Sequence, residues 1–265
     1  MAKPKKNTQT WAITYADMVT LLLTFFVLLM VILSEAEKQM DLLIQKLLDD
    51  AYEQMVAELD DENIDVERVS KGVKVTIRGK LFEQLSPNIS SEYLPKIAQI
   101  GSLIKETDLM KIDLTSIPDS TDENFLLMSE LSNRGQELAV EIRCEGHTDD
   151  APIPKEKRIK YDSNFELSSA RSLNVVKQMN KFASIDYEYF SALGYGPYRP
   201  IISVETIKKK RTRREKDRLR EYNRRVEIYL DAFARNKIQS DEKDLIESLS
   251  SKKRKREKPN LKQTS

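Results

Sequence analysis

The chain has 265 residues, and its 44 Lys and Arg against 43 Asp and Glu leave a formal net charge of +1, which gives no case for nucleic-acid binding by the chain as a whole. A single cysteine excludes an intramolecular disulfide. An outer part of about 230 residues, enough for one sizeable domain, therefore has to stand on its own hydrophobic core.

The first element is the uncharged stretch Trp11 to Ser34, broken only by Asp17. At about 1.5 Å per residue it reaches about 35 Å as a helix, enough to cross a hydrocarbon layer of about 30 Å. A transmembrane helix over 11–34 is expected. A carboxylate at a helix centre in lipid costs roughly 2.5–3.5 kcal/mol on insertion scales, so Asp17 needs a partner or a purpose. Placed at 100° steps, Thr10, Thr14, Asp17, Thr20 and Thr24 share one arc of about 120°. Two readings of Asp17 stand at this point: it binds a cation in transit, or it lies shallow, about 9 Å along the axis from Trp11, and snorkels to the interface. Lys3, Lys5 and Lys6 precede the span, whereas Glu35, Glu37 and Lys38 follow it. By the positive-inside rule, residues 1–10 are expected in the cytoplasm and everything beyond residue 34 outside. The apolar run is too long for a signal peptide and lacks a small-residue cleavage site, so a permanent single-span anchor is expected.

After the span, Met40, Leu43, Ile44, Leu47, Leu48, Ala51, Tyr52, Met55 and Leu59 recur at steps of three and four, the pattern of an amphipathic helix. It reads as a stalk pairing with a second copy, or as a segment that lies on the membrane or blocks a pore. The acidic run around Asp60, Asp61, Glu62 and Asp65 reads as a linker, so 35–66 form one unit and 67–234 the outer domain. Alternation predicts strands at Val73–Ile77, Leu138–Cys144 and Val226–Leu230, with a weaker one over Glu188–Leu193. Helices are predicted from near Ser91, as cap, with Pro95 in the first turn, and from Ser163, whose Ser-x-x-Glu spacing with Glu166 fits a capping box. Residues 107–137 have no assignment, 205–222 read as a basic loop, and the charged tail 235–265 as disordered. Both basic runs read as solvated, with attraction to anionic cell-wall polymer as the alternative. One-faced strands interleaved with amphipathic helices give an α/β two-layer sandwich, a mixed sheet covered on one side by helices.

For chemistry, Glu145 to Asp150 leave a strand end, where side chains converge on a crevice in α/β folds. His147 is the only histidine, Cys144 is expected to point into the core, and no second ligand cluster exists, so no metal site is expected. No partnered Ser or Cys and no phosphate loop is present, so the domain reads as a binder rather than an enzyme, with no cofactor. Asp149 and Arg171 either pair with each other or grip a ligand that carries both an ammonium and a carboxylate.

The runs CEGHTDDAPI, SNFELSSARSLNVV, LGYGPYRPI and NRRVEIYL resemble, in content, order and spacing, the peptidoglycan-binding domain of the OmpA family. With WAITYADMVTLLLTFFVLLM at the amino end, the chain resembles the MotB/PomB family, the B subunits of the bacterial flagellar stator, over about residues 10–232. The resemblance implies an inner-membrane protein of motility and chemotaxis with a periplasmic domain. It implies a dimer partnered by a four-span MotA/PomA-like A subunit, acting on the flagellar rotor indirectly. Asp17 matches the ion-binding aspartate for H+ or Na+, with Thr20 and Thr24 as ion-path candidates. Residues 38 to about 52 match the plug that restrains ion flow. Asp149 and Arg171 match the acid and base that hold the wall peptide, with Thr148, Asn164, Leu167 and Arg224 around them. The loop from Ala151 to Ser163 is longer than in many OmpA-like domains, as in the stator branch. A non-motile envelope tether linking inner membrane to cell wall is the alternative.

Overall fold

The computed structural model describes residues 10–83, 85–112, 123–154 and 161–237. Expectations for the amino terminus before Thr10, the middle of the insertion, the centre of the Ala151 to Ser163 loop and the tail beyond Lys237 lie outside the described residues.

The expected span and the expected amphipathic helix form one element, α1, Thr10–Glu58, 49 residues without a break. No Pro or Gly interrupts it, and the helix changes only in what surrounds it. From Trp11 to Glu35 every side chain is exposed, whereas Met40, Ile44, Leu47, Leu48, Ala51 and Met55 are buried in the domain core. The periodic face packs on its own domain in this structure. The exposed half is long and apolar enough to cross a membrane.

Five strands follow: β1 Ile64–Val69, β2 Gly72–Arg78, β3 Gln136–His147, β4 Phe190–Gly196 and β5 Arg225–Asn236. They form one sheet in the order β1-β2-β5-β3-β4, antiparallel except for the β3–β4 pair. The mixed sheet and one-sided cover are as expected. Val73, Val75 and Ile77 of β2, Ile142 and Cys144 of β3, and Val226, Ile228 and Leu230 of β5 turn to the covered face. There α2 Leu94–Glu106 and α5 Asn164–Ala183 complete the core with Ile97, Ile100, Ile104, Val175 and Met179. Cys144 is fully buried, and desolvation pushes its thiol up to about 12, the behaviour of a small hydrophobe.

Several expectations are corrected. The acidic "linker" contains β1, an edge strand paired with β2 through the register Ile64↔Ile77 to Val69↔Gly72. Ser91 does not cap α2; Tyr93 is the first flanking residue and makes no side-chain cap, while Pro95 does sit in the first turn. The insertion holds α3 Asp108–Lys111 and α4 Glu123–Asn133, and Leu109, Leu127, Met128 and Leu131 join the core. The basic "loop" is α6 Val204–Lys208 and α7 Arg213–Asn223, the latter opened by a full capping box between Thr212 and Glu215. The box expected at α5 is shared differently: Ser163 Oγ accepts from Glu166 N, but Glu166 Oε2 accepts from Asp162 N. The weak strand begins at Phe190, after a 3-10 turn at Tyr187–Tyr189. β5 continues through Arg235 and Asn236, both registered against β3, into what was read as tail.

Candidate functional site

Two places concern function. On the exposed half of α1, Asp17 is the one acid of the apolar stretch, and the hydroxyls of Thr14, Thr20 and Thr24 donate to the carbonyls of Trp11, Asp17 and Leu21 at 2.8–2.9 Å. Each of these hydroxyl protons is engaged by its own helix, which leaves the Thr20 and Thr24 oxygens to act as acceptors. The stripe thus offers acceptors, a carboxylate and hydroxyl oxygens, suited to a cation or to donors on another helix. Every side chain of the stripe from Trp11 onward is exposed.

The second place is the carboxyl end of the parallel β3–β4 pair. Close packing builds it. A Cβ on Gly146 would lie 2.2 Å from Ser168 O, and one on Gly194 2.3 Å from Ser169 N, so only glycine lets α5 settle this near the two strands. Ser168 Oγ, wholly buried, fixes the contact by accepting from Gly196 N at 2.9 Å. Thr148 N then donates to Gly196 O at 3.0 Å, joining the two strand ends.

Around that floor stand the expected residues. Asp149 does not pair with Arg171: its Oδ2 accepts from Arg224 Nη1 at 2.6 Å, and its Oδ1 from Ala151 N at 3.1 Å. Asn164, first residue of α5, donates to Ala151 O at 2.8 Å and to Asp149 O at 3.4 Å, holding the turn that carries the acid. Leu167 is buried on the inner side of α5 and serves packing. Arg171 is only 8% exposed. Its Nε donates to Ser86 O at 3.1 Å, and its guanidinium lies 4.8 Å from the Phe82 ring centroid. Burial pushes its pKa down to about 10, against the attraction of Asp149 and with the repulsion of Arg224. Among the described residues its two Nη groups donate no hydrogen bond, and Thr148 Oγ1 is buried without a partner. The crevice therefore presents a charged fork and a hydroxyl whose bonds are unmade, beside a carboxylate held by two donors. That set accepts a ligand with a carboxylate and an amine close together.

Sequence reasoning missed Arg220 and Asp150, which form a two-bond ion pair at 2.7 and 3.2 Å and tie α7 to the loop after β3. The signal was present: Arg220 precedes Arg224 by one helical turn, as Asp150 follows Asp149. Ser86 and Phe82, which seat Arg171, come from an irregular loop with no motif to mark it.

Residues 1–50 match the family model described as membrane MotB of the proton-channel complex MotA/MotB. Among curated proteins the chain is similar to the uncharacterised protein YtxE of Bacillus subtilis strain 168, 24% identical over 239 residues, 86% of this chain and 90% of that protein. It is also similar to motility protein B of the same organism, 29% identical over 168 residues. That match covers 63% of this chain and spans little more than half of the relative, 56%. Among solved structures, a MotB-like protein from Desulfovibrio vulgaris superposes with a TM-score of 0.50 at 17% identity, covering 74% of this chain and 98% of that one. The outer domain thus has the fold of MotB-like, OmpA-like periplasmic domains.

Proposed function

We propose that the chain is the B subunit of an ion-driven flagellar stator, anchored in the inner membrane by α1 and gripping peptidoglycan through the crevice at the β3–β4 end. One observation carries it: a lone acid, Asp17, set among hydroxyl oxygens on an otherwise apolar helix, inside the segment that matches the MotB family. A helix face of this polarity requires partner helices or water in lipid, which fits a four-span A subunit alongside. Binding H+ or Na+ neutralises Asp17, and release restores its charge. Each ion thereby switches one unit of charge in a low-dielectric setting, driven by about 2.3 kcal/mol per 100 mV of membrane potential.

In the crevice, the free Nη groups of Arg171 take the carboxylate of a wall-peptide amino acid, and Asp149, exchanging part of its bond to Arg224, takes the amine. Thr148 Oγ1 and Asn164 line the approach. No bond is made or broken there; the domain is a reaction point against which torque acts. The dimer and the plug are further parts of this reading. A plug made from residues 38–52 has to lift Met40, Ile44, Leu47, Leu48 and Ala51 out of the domain core that buries them here.

The test is ion flux in vesicles holding the full chain and its four-span partner. Asp17→Asn abolishes flux, and varying sodium at fixed pH separates Na+ from H+ through Thr20 and Thr24. Unchanged flux in Asp17→Asn overturns the ion-carrier role. It would favour the envelope tether, to which the match along 90% of YtxE is equally open.

A further inference from the structure

The uncovered face of the sheet holds a cluster that the wall-binding crevice does not use. Glu145 and His147 lie two residues apart on β3, so their side chains leave the same face, and Glu227 of β5 is registered directly opposite Glu145. Among the described residues α2 and α5 pack on the opposite face, yet the three keep only 2%, 3% and 7% of their exposure. His147 Nε2 stands 3.9 Å from Glu145 Oε2 and 3.8 Å from Glu227 Oε2, beyond hydrogen-bonding range. Neither ring nitrogen has a hydrogen-bond partner among the described residues. A buried imidazole with both nitrogens idle is rare, because buried polar groups are ordinarily hydrogen-bonded.

The atoms around the three are held from behind. Arg143 donates to Glu145 Oε1, and Arg225 Nε donates to Glu227 Oε1 at 2.6 Å. Tyr229 OH donates to Glu227 Oε2 at 2.7 Å, which leaves that oxygen a further lone pair. The imidazole stacks on Tyr195 at 5.4 Å between centroids, and Arg199 caps Tyr195 at 3.8 Å. Glu145 is thus fixed by one oxygen while the other faces His147, Glu227 turns its Tyr229-bonded oxygen to the ring, and one donor atom from each residue lies within 4.8 Å of the other two. Outer groups that orient inner oxygens in this way are a usual support of metal ligands.

We infer that Glu145, His147 and Glu227 form a binding site for a divalent transition-metal ion, with a water completing four-coordination. One nitrogen and two carboxylate oxygens suit Zn2+ or Co2+, bound at about 2.0–2.2 Å, for which the three would close on one another. Asp231, bonded to Arg143 at 3.0 Å, makes three acids with Glu145 and Glu227, beside the three arginines Arg143, Arg199 and Arg225. His147 was set aside in the sequence because it is the only histidine, Cys144 was expected to point into the core and no second ligand cluster was evident. The third ligand comes from a distant strand. The site bridges β3 and β5, so metal would clamp the centre of the sheet.

The test uses the full chain in detergent, without a polyhistidine tag, stripped with chelator and titrated with CoCl2 and ZnCl2. One Co2+ per chain is expected, with visible ligand-field absorption, and Zn2+ is expected to displace it and raise the thermal unfolding midpoint by several degrees. His147→Gln is expected to remove the absorption and the rise, and Glu137→Gln, on the same strand, to change neither. Should His147→Gln fail to fold, Glu227→Asp, which keeps the charge and shortens the reach, is expected to weaken Co2+ binding at least tenfold. No absorption and no rise in the unaltered protein, or full binding by either ligand variant, overturns the site and leaves a water as the occupant.

Discussion

Arg171 combines a full positive charge with deep burial. The folded chain holds its pKa near 10, below the ordinary 12.5, so between those values the unfolded state binds more protons and folding strengthens as pH rises. At neutral pH the penalty is fully present: the charged guanidinium destabilises the fold, and its function lies elsewhere. Asp149 keeps Arg224 and the Ala151 amide when Arg171 is removed, so no orphaned charge results. Arg171→Met is therefore expected to leave the thermal midpoint unchanged or higher, within about 1 kcal/mol, while abolishing cosedimentation with purified peptidoglycan. A variant that unfolds, or that still sediments, contradicts this account. The residue types of this crevice were legible from their motifs, but their pairing was not. Asp149 meets Arg224 because α7 ends beside it, and α7 was hidden by its composition. TRREKDRLREYN has almost no apolar face, and its helix rests on the Thr212–Glu215 box and on ion pairs such as Arg213–Asp217.

At the scale of elements, strands with one buried face were readable because their period of two survives in the sequence. β1 was not, since an edge strand buries little and IDVERV reads as acidic linker. α1 shows the opposite failure: its periodicity was plain, but periodicity does not say which surface it meets. Here the partner is the domain itself, with Leu48 wholly buried. Leu48→Ala is expected to lower the unfolding free energy of the outer domain by about 2–5 kcal/mol, measured by denaturant titration. A stalk free of the domain would lose far less. The turn after α1 is pinned to α2 by Asp61 and Lys96. The Lys96 hydrogen bond holds Asp61 below its ordinary 3.8, and the same bond holds Lys96 above 10.5. Sign follows directly: the acid's contribution is present above 3.8 and lost as pH falls through its lowered value. The lysine's is present below 10.5 and lost as pH rises beyond it. Both groups are partly exposed, so the pair contributes about 0.2–1 kcal/mol. Lys96→Met is expected to lower the thermal midpoint most between pH 5 and 9, with the deficit shrinking at both extremes.

Across the whole molecule, the continuity of α1 decides how force travels. Its 49 residues extend about 74 Å, of which the exposed half fits a bilayer and the rest is built into the domain core. A load on the span therefore reaches the sheet through backbone hydrogen bonds and packed side chains, with no swivel between them. On the proposed stator reading, the ion site and the wall grip would each survive a break in this path, but torque would not. Glu35 sits where α1 leaves its exposed half, with its side chain in solvent. Glu35→Pro there removes one helical hydrogen bond and clashes with the preceding turn, at about 3 kcal/mol, kinking the helix without touching either site. The expected outcome is separable. Membrane insertion, cosedimentation with peptidoglycan and ion flux with the A subunit persist, while swimming in a strain dependent on this chain fails. Glu35→Ala, which keeps the helix, swims normally. Restored swimming in the proline variant would mean that a flexible joint suffices at this point. The outer half of α1 would then act as a mooring for the span and not as the arm that bears its load.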